Sequence, residues 1–161
     1  MIYVVIIFSF LFESIITNVV SMNSLFIPLF VLISLSLLYP YFKKNNKNFI
    51  IICGITGLFY DMIFTNSLFI NTVSFLSASL LIILNYKIFK YNILLSNLFN
   101  IVLIAFYRFI SYVLLVAVSY LSFNYKALLD GIYTSLIINI IYGFIMYIII
   151  DKLSMLLNIK R

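Results

Sequence analysis

The sequence of 161 residues contains no histidine and a single cysteine, Cys53. A disulfide within one chain needs two cysteines, and zinc sites are built from several histidine, cysteine or acidic side chains. Acidic residues number only four, namely Glu13, Asp61, Asp130 and Asp151. These shortages predict a chain without an internal disulfide, without a metal site and without a bound cofactor.

Motifs of the common enzyme classes are also missing from the sequence. We find no HExxH pair, no Gly-x-Ser-x-Gly turn, no GxxxxGK[ST] phosphate loop and no paired carboxylates. The serines have no histidine to activate them, and the lysines fall between or after the apolar segments, so a buried serine–lysine dyad is not expected. The sequence therefore predicts a protein that is not an enzyme and has no catalytic residues.

Apolar residues dominate the chain. They make up 66% of it, charged residues make up 9%, and the mean hydropathy is +1.25. A soluble domain of this composition would expose large apolar patches. The apolar runs approach the roughly 20 residues that a helix needs to cross about 30 Å of hydrocarbon. We predict an all-α integral membrane protein.

Short polar breaks divide the chain into six predicted spans within a single membrane domain covering residues 1–161. The first span lacks the basic start and the small-residue cleavage site of a removable signal peptide, so we expect it to stay in the mature protein. No linker, internal repeat or domain boundary is evident. The predicted spans are residues 2–20, 25–42, 49–64, 68–86, 93–121 and 131–150.

The basic residues predict the orientation of these spans, because basic loops resist transfer across the membrane. With six spans only Lys126 lies on one side, which predicts that both termini are cytoplasmic. The net charge of +6 is explained by topology, since the basic residues do not form a stripe interleaved with aromatics that would suit nucleic acid. The residues on the cytoplasmic side are Lys43, Lys44, Lys47, Lys87, Lys90, Lys152, Lys160 and Arg161.

The third predicted span ends in a glycine face that leads to a carboxylate. Gly54, Gly57 and Asp61 are offset by 0, 3 and 7 positions, so they share one face of a helix. Small residues let another helix approach closely, and the next span carries Asn71 near its start, whose amide can hydrogen-bond. Two interpretations are open: Asp61 pairs with a cation or a polar group at this contact, or the face only packs the two helices together and Asp61 lies near the outer surface.

Two further ionisable residues lie inside predicted spans, Glu13 in the first and Arg108 in the fifth. Each costs about 2.5–3.5 kcal/mol at the centre of a membrane helix, which motivates the hypothesis that Arg108 pairs with Glu13 or Asp61. The alternative is that Arg108 extends to the membrane surface. Polar residues share the face of Arg108 and also form a close-packing stripe on the sixth span; they are Asn97, Asn100, Ser111, Ser135, Asn139 and Gly143.

The segment GITGLFYDMIFTNSLFINTVSFL, residues 54–76, resembles the signature of the rod shape-determining protein MreD family. In that signature a G-x-x-G-x-x-x-D helix end leads through a short turn into a helix that opens L-G-x-N. Gly54, Gly57, Asp61, Leu68 and Asn71 match it in order. Phe69 departs from it, because the family commonly has glycine there. Length, six spans and lysine-rich cytoplasmic loops are similar as well.

The resemblance implies a non-catalytic scaffold subunit of the bacterial cell-wall elongation complex, located in the cytoplasmic membrane and surrounded by its lipid. Its expected partner is MreC, within a wider complex that contains MreB, RodA and a penicillin-binding transpeptidase. In this interpretation Asp61 and Asn71 form an edge where MreC docks. The resemblance also implies a helical bundle similar to the substrate-binding subunits of energy-coupling-factor transporters.

That second likeness supplies an alternative function, the substrate-binding membrane subunit of a vitamin uptake transporter. Such a subunit needs an outward pocket, and the outer connections VSMNS and TNS are short, which favours the scaffold. A third possibility is a proton-coupled transporter that uses Glu13, Asp61 and Arg108 as a relay. The sequence lacks the internal repeats and interrupted helices expected of one.

Overall fold

The computed structural model describes residues 2–20, 27–42, 45–64, 69–88 and 92–157. Within these ranges the chain forms six α-helices and no strand. The helices are α1 (Ile2–Val20), α2 (Phe30–Leu38), α3 (Asn46–Phe64), α4 (Ile70–Ile88), α5 (Ile93–Ala117) and α6 (Tyr125–Leu156), and a 3-10 turn (Tyr39–Phe42) follows α2. Residues 21–24 and 65–68 of the two outer connections, including Leu68, lie outside the described residues, as do Lys43, Lys44, Lys90, Lys160 and Arg161.

Four of the helices, α3 to α6, are long and apolar enough to cross a membrane. The other two apolar helical stretches, Ile2–Asn18 and Phe30–Phe42, are shorter. The all-α class and the membrane character predicted from composition are therefore confirmed. The count of six crossings and the cytoplasmic position of both termini stay predictions.

Helix α2 is the centre of the bundle. All nine of its residues are buried, and Val31, Ile33, Leu35 and Leu37 have no exposed surface. A helix that is apolar on every side is stable only when other helices surround it. With its 3-10 turn α2 is about 22 Å long, shorter than a hydrocarbon core of about 30 Å. The start of α2 therefore lies inside the protein, among its neighbours.

The helices pack largely in chain order around α2. α3 packs on α4, α4 on α5 and α5 on α6, while α2 contacts α1 and α6. The outward faces carry many exposed large apolar side chains. Exposed leucine, isoleucine and phenylalanine are stable against lipid, which agrees with a bundle built for a membrane.

Helix α6 is longer than the sequence predicted. It covers 32 residues, about 48 Å, whereas the predicted span covered residues 131–150. Asn124 explains the earlier start, because its side-chain oxygen accepts a hydrogen bond from the Lys126 N–H (3.0 Å) and caps the helix. Residues 125–130 and 151–156, outside the predicted span, are helical too, since hydropathy marks the apolar part of a helix and not its ends.

The fifth helix is shorter than predicted, ending at Ala117 instead of near residue 121. Ser119 adopts a left-handed conformation with φ 60°, which a continuing helix does not contain. The Tyr112 hydroxyl donates to the Asn124 carbonyl (2.9 Å). This contact fixes the turn that joins α5 to α6.

Candidate functional site

Asp61 caps the start of the following helix. It lies in the last turn of α3 and is 1% exposed. Its Oδ1 accepts from the backbone N–H (2.9 Å) and the side-chain amide (3.0 Å) of Asn71, and its Oδ2 accepts from the backbone N–H (2.9 Å) and hydroxyl (2.7 Å) of Thr72. The first amides of a helix have no partner within the helix, and a negative charge there is stabilising. Asp61 supplies both the hydrogen-bond acceptor and the negative charge.

Phe69, directly before α4, has a φ of 71°. Bulky side chains rarely adopt this left-handed conformation, because their Cβ approaches the following carbonyl oxygen, whereas glycine adopts it readily. This is the position at which the sequence departs from the resemblance described above. The backbone turn that glycine favours is therefore present even though the residue is phenylalanine.

Gly57 lies where α3 and α4 approach each other closely. A Cβ atom added there would lie 2.7 Å from the Thr72 Cα and 3.1 Å from the Phe75 Cβ, so a larger residue would force the helices apart. At Gly54 the added atom would lie 3.2 Å from the Leu76 side chain. The glycine face thus packs the two helices together.

The two residues of the expected docking edge are buried. Asp61 is 1% exposed and Asn71 is 6% exposed. The Tyr107 hydroxyl of α5 also donates to the Asn71 Oδ1. Helix α5 therefore covers the Asn71 side chain in addition to α3 and α4. Both side chains are enclosed by α3, α4 and α5, which agrees with the helix-packing interpretation, and their contact with a partner stays a prediction.

Glu13 stabilises a second helix start, that of α2. Its Oε2 accepts from the Val31 N–H (2.9 Å), its Oε1 accepts from the Tyr60 hydroxyl (2.6 Å), and it is 1% exposed. The side chain of Asn139 on α6 completes this start: its Oδ1 accepts from the Leu29 N–H (2.7 Å) and its Nδ2 donates to the Ile27 carbonyl (3.0 Å). Glu13 was recognised from the sequence as a polar residue inside a span, whereas Asn139 was predicted only to pack helices together.

A cluster of three hydroxyl groups was missed by sequence reasoning. Ser9 on α1, Ser34 on α2 and Tyr142 on α6 lie within 2.7–2.9 Å of one another through their side-chain oxygens. Serine and tyrosine in apolar runs are common, and the three residues are 25, 108 and 133 positions apart in pairs, so no local pattern points to the cluster.

Arg108 pairs with neither carboxylate. Its Nε–H donates to the Ser135 hydroxyl of α6 (3.0 Å), and no ion pair joins it to Glu13 or Asp61, all three of which the structure describes. The hypothesis of an ion pair was wrong because each carboxylate is engaged by helix-start amides. The Nη2 atom of Arg108 is buried and has no hydrogen-bond partner in the described part of the chain.

The remaining polar residues of α5 meet α6 at a glycine. A Cβ added to Gly143 would lie 2.6 Å from the Asn97 Oδ1 and 3.2 Å from the Asn100 Nδ2. Asn97 is 4% exposed and Asn100 has no exposed surface. The two polar stripes recognised in the sequence therefore pack against each other.

A cavity of about 270 Å³ lies beside Arg108. Its walls come from the ends of α1 and α3, the starts of α2 and α4, and the middle of α5. Arg108 is the only charged residue among the described residues that line it. Other lining residues are Thr17, Phe64, Ile70, Asn71, Ser111 and Leu115.

Two apolar grooves lie on the outer surface of the bundle. The α1–α3 groove, about 350 Å³, is lined by apolar side chains and Thr56. Its lining includes Phe10, Ile52, Ile55, Phe59 and Ile63. The α4–α5 groove, about 390 Å³, is lined by Leu81, Leu84, Asn85, Leu95, Leu98, Phe99 and Val102.

Within the described residues no group of three or more histidine, cysteine, aspartate or glutamate side chains is placed to hold a metal ion. Cys53 is buried and has no cysteine partner. Comparison of the chain with protein-family models, with curated proteins and with solved structures found no match.

Proposed function

We propose that this chain is a non-catalytic membrane scaffold subunit of the bacterial cell-wall elongation complex, similar to MreD. One observation supports this proposal most: the described residues of the signature together stabilise one helical hairpin, α3 and α4. Gly57 sets the close approach, Asp61 caps the helix that contains Asn71, and Phe69 adopts the backbone conformation for which the family commonly uses glycine. The spacing of these residues in the sequence is therefore explained by the contacts that hold the hairpin together.

The partner of the scaffold is MreC, and the α1–α3 groove is its docking site. This groove runs along α3, the helix that carries the signature, and Ile55 and Phe59 within it are 48% and 53% exposed. Membrane helices associate by close packing of their surfaces rather than by the hydrophobic effect. A single apolar helix of MreC would fill the groove and replace lipid there.

Affinity purification from the native membrane in mild detergent, with the companions quantified by mass spectrometry, tests the proposal. We expect MreC and wall-synthesis enzymes to be enriched with the wild-type chain. The double variant Ile55→Ala with Phe59→Ala reduces MreC recovery several-fold, because it removes the contact surface of the groove.

The matched control is Leu84→Ala with Leu98→Ala in the α4–α5 groove, where the two side chains are 58% and 61% exposed. This control keeps MreC recovery at the wild-type level. Absence of MreC from the wild-type sample would refute the scaffold function. An equal loss in the control would refute the assignment of the groove.

The cavity beside Arg108 favours a second candidate, the substrate-binding subunit of a vitamin uptake transporter. The sequence argument against it was that the outer connections are short. The described walls of the cavity are formed largely by helix ends, so long loops are not required. Enrichment of paired ATPases with a coupling subunit in the same purification would support this candidate.

A further inference from the structure

We propose that the cavity beside Arg108 binds the anionic group, a carboxylate or a phosphate, of a small amphipathic molecule. This site is separate from the α1–α3 groove, so the proposal goes beyond the scaffold function and does not depend on it. The juxtaposition that carries it is a cavity of about 270 Å³ whose only charged described residue is an arginine with a buried, unpartnered donor.

The guanidinium of Arg108 is already oriented. Its Nε–H donates to the Ser135 hydroxyl (3.0 Å), and the Ser135 hydroxyl donates in turn to the Gly131 carbonyl (2.7 Å). Because the guanidinium is planar, fixing Nε also fixes the direction of Nη2. Arginine has donors and no acceptor, so what the guanidinium can bind is an acceptor, and an anionic oxygen gives the strongest bond.

The other polar side chains among the described lining residues are already engaged. The Thr17 hydroxyl donates to the Glu13 carbonyl (2.8 Å), and the Ser111 hydroxyl donates to the Ser74 hydroxyl (3.0 Å). The side chain of Asn71 is held between Asp61 and Tyr107. The principal donor left for a ligand is therefore Arg108, which predicts a single anionic contact.

The remaining walls define the rest of the ligand. Phe64, Ile70 and Leu115 are apolar and line the same space as Arg108. The volume lies just below the roughly 300–1,000 Å³ typical of small-molecule sites. These features fit a short apolar body that ends in one carboxylate or phosphate. A soluble organic acid and the headgroup region of an anionic lipid both present this chemistry.

The buried donor also gives the site an energetic basis. A buried donor without a partner is destabilising, and a charged one more so. Nη2 itself has almost no accessible surface, so an anion in the cavity is attracted by the charge of the guanidinium as a whole and reaches Nη2 only after the side chain shifts. That shift would also give the buried donor an acceptor.

The test uses the full chain in lipid nanodiscs. The soluble probes are hexanoate and hexyl phosphate, with hexanol as the uncharged analogue, and binding is measured by calorimetry in phosphatidylcholine nanodiscs. The lipid arm compares phosphatidylcholine nanodiscs with an equimolar mixture of phosphatidylcholine and phosphatidylglycerol, and native mass spectrometry counts retained phosphatidylglycerol. Saturable binding in the first arm identifies a soluble acid as the source, and retention of lipid in the second identifies a headgroup.

Two variants and one control make the test specific. Arg108→Gln weakens binding of the anionic probe at least about tenfold, the usual size of a lost hydrogen bond to a charged group. Leu115→Trp fills the cavity without changing its charge and also weakens binding. Lys126→Gln removes a positive charge in the first turn of α6, outside the cavity, and leaves binding unchanged.

Several results would overturn the proposal. These are no saturable anion binding by the wild-type chain in either arm, hexanol binding as tightly as hexanoate, or wild-type affinity in Arg108→Gln. If Arg108→Gln does not fold, as judged by gel filtration, Leu115→Trp decides the matter. Wild-type affinity in a folded Leu115→Trp protein would place binding elsewhere.

Discussion

Asp61 and Glu13 are both buried acidic residues that stabilise the start of another helix, but they do so in different ways. Asp61 receives four hydrogen bonds from Asn71 and Thr72, residues 10 and 11 positions further along the chain. Glu13 divides its two oxygens between Val31 on α2 and Tyr60 on α3. One site is complete within a hairpin, whereas the other requires three helices.

The difference determines how each site tolerates change. Two of the donors to Asp61 are backbone N–H groups, which can only donate. At Glu13 one of the donors is a hydroxyl, which can rotate and accept instead. The chemistry at Asp61 is therefore specific for a carboxylate, whereas Glu13 can be replaced by a side chain that both donates and accepts.

The largest effect is expected for Asp61→Ala. This variant leaves the N–H groups of Asn71 and Thr72 buried without an acceptor, which costs roughly 2–6 kcal/mol at about 1–3 kcal/mol for each group. The measurement is unfolding by sodium dodecyl sulfate in mixed micelles, followed by circular dichroism. An unchanged midpoint would mean that Asp61 does not hold α4.

A smaller effect distinguishes the two sites directly through the paired variants Asp61→Asn and Glu13→Gln. In Asp61→Asn one amide oxygen remains while an NH₂ group faces a backbone N–H, so we expect a loss of about 1–3 kcal/mol. In Glu13→Gln the amide oxygen accepts from the Val31 N–H and the Tyr60 hydroxyl turns to accept, so the loss stays below about 1 kcal/mol. The same unfolding assay measures both, and equal losses would contradict the comparison.

The smallest effect, and the only stabilising one, is expected for Phe69→Gly at the turn before α4. Relief of the left-handed conformation gains about 1–2 kcal/mol, partly offset by about 0.4–1 kcal/mol because glycine is more flexible when unfolded. A net gain between about 0 and 1.6 kcal/mol should raise the unfolding midpoint slightly. Val73→Gly, an exposed position inside α4, is the control and should be destabilising; a loss at position 69 as large as the control's would contradict the prediction.

The comparison also explains how much sequence alone could predict. Gly57 and Asp61 were recognised because their partners lie on the next helix, and a helical period places them on one face. The partners of Glu13 and Arg108 were not predicted, since Val31 and Ser135 are brought to them only by tertiary packing. Charge alone suggested that opposite charges would pair, whereas the helix-start amides compete for the same carboxylates.

The boundaries of the helices were also predictable only where they depend on local sequence. The apolar runs predicted the order and type of the helices, because a membrane span requires a long apolar stretch. The additional length of α6 depends on the cap at Asn124 and on polar residues that hydropathy assigns to a loop. The central position of α2 could not be predicted either, because an apolar helix against lipid and one against protein have the same composition.

The contact between Leu29 and Asn139 has a consequence for the synthesis of the protein. The two residues are 110 positions apart, so the N–H at the start of α2 meets its acceptor only when most of the chain has been made. At about 5–20 residues per second, this interval lasts roughly 5–20 s. During that time the Leu29 N–H needs another hydrogen-bond partner. Water at the translocation machinery is one, and water near the membrane surface is another if α2 first lies there. The start of α2 is therefore secured in two stages, with Glu13 of α1 available before α2 is made and Asn139 of α6 available only near the end of synthesis.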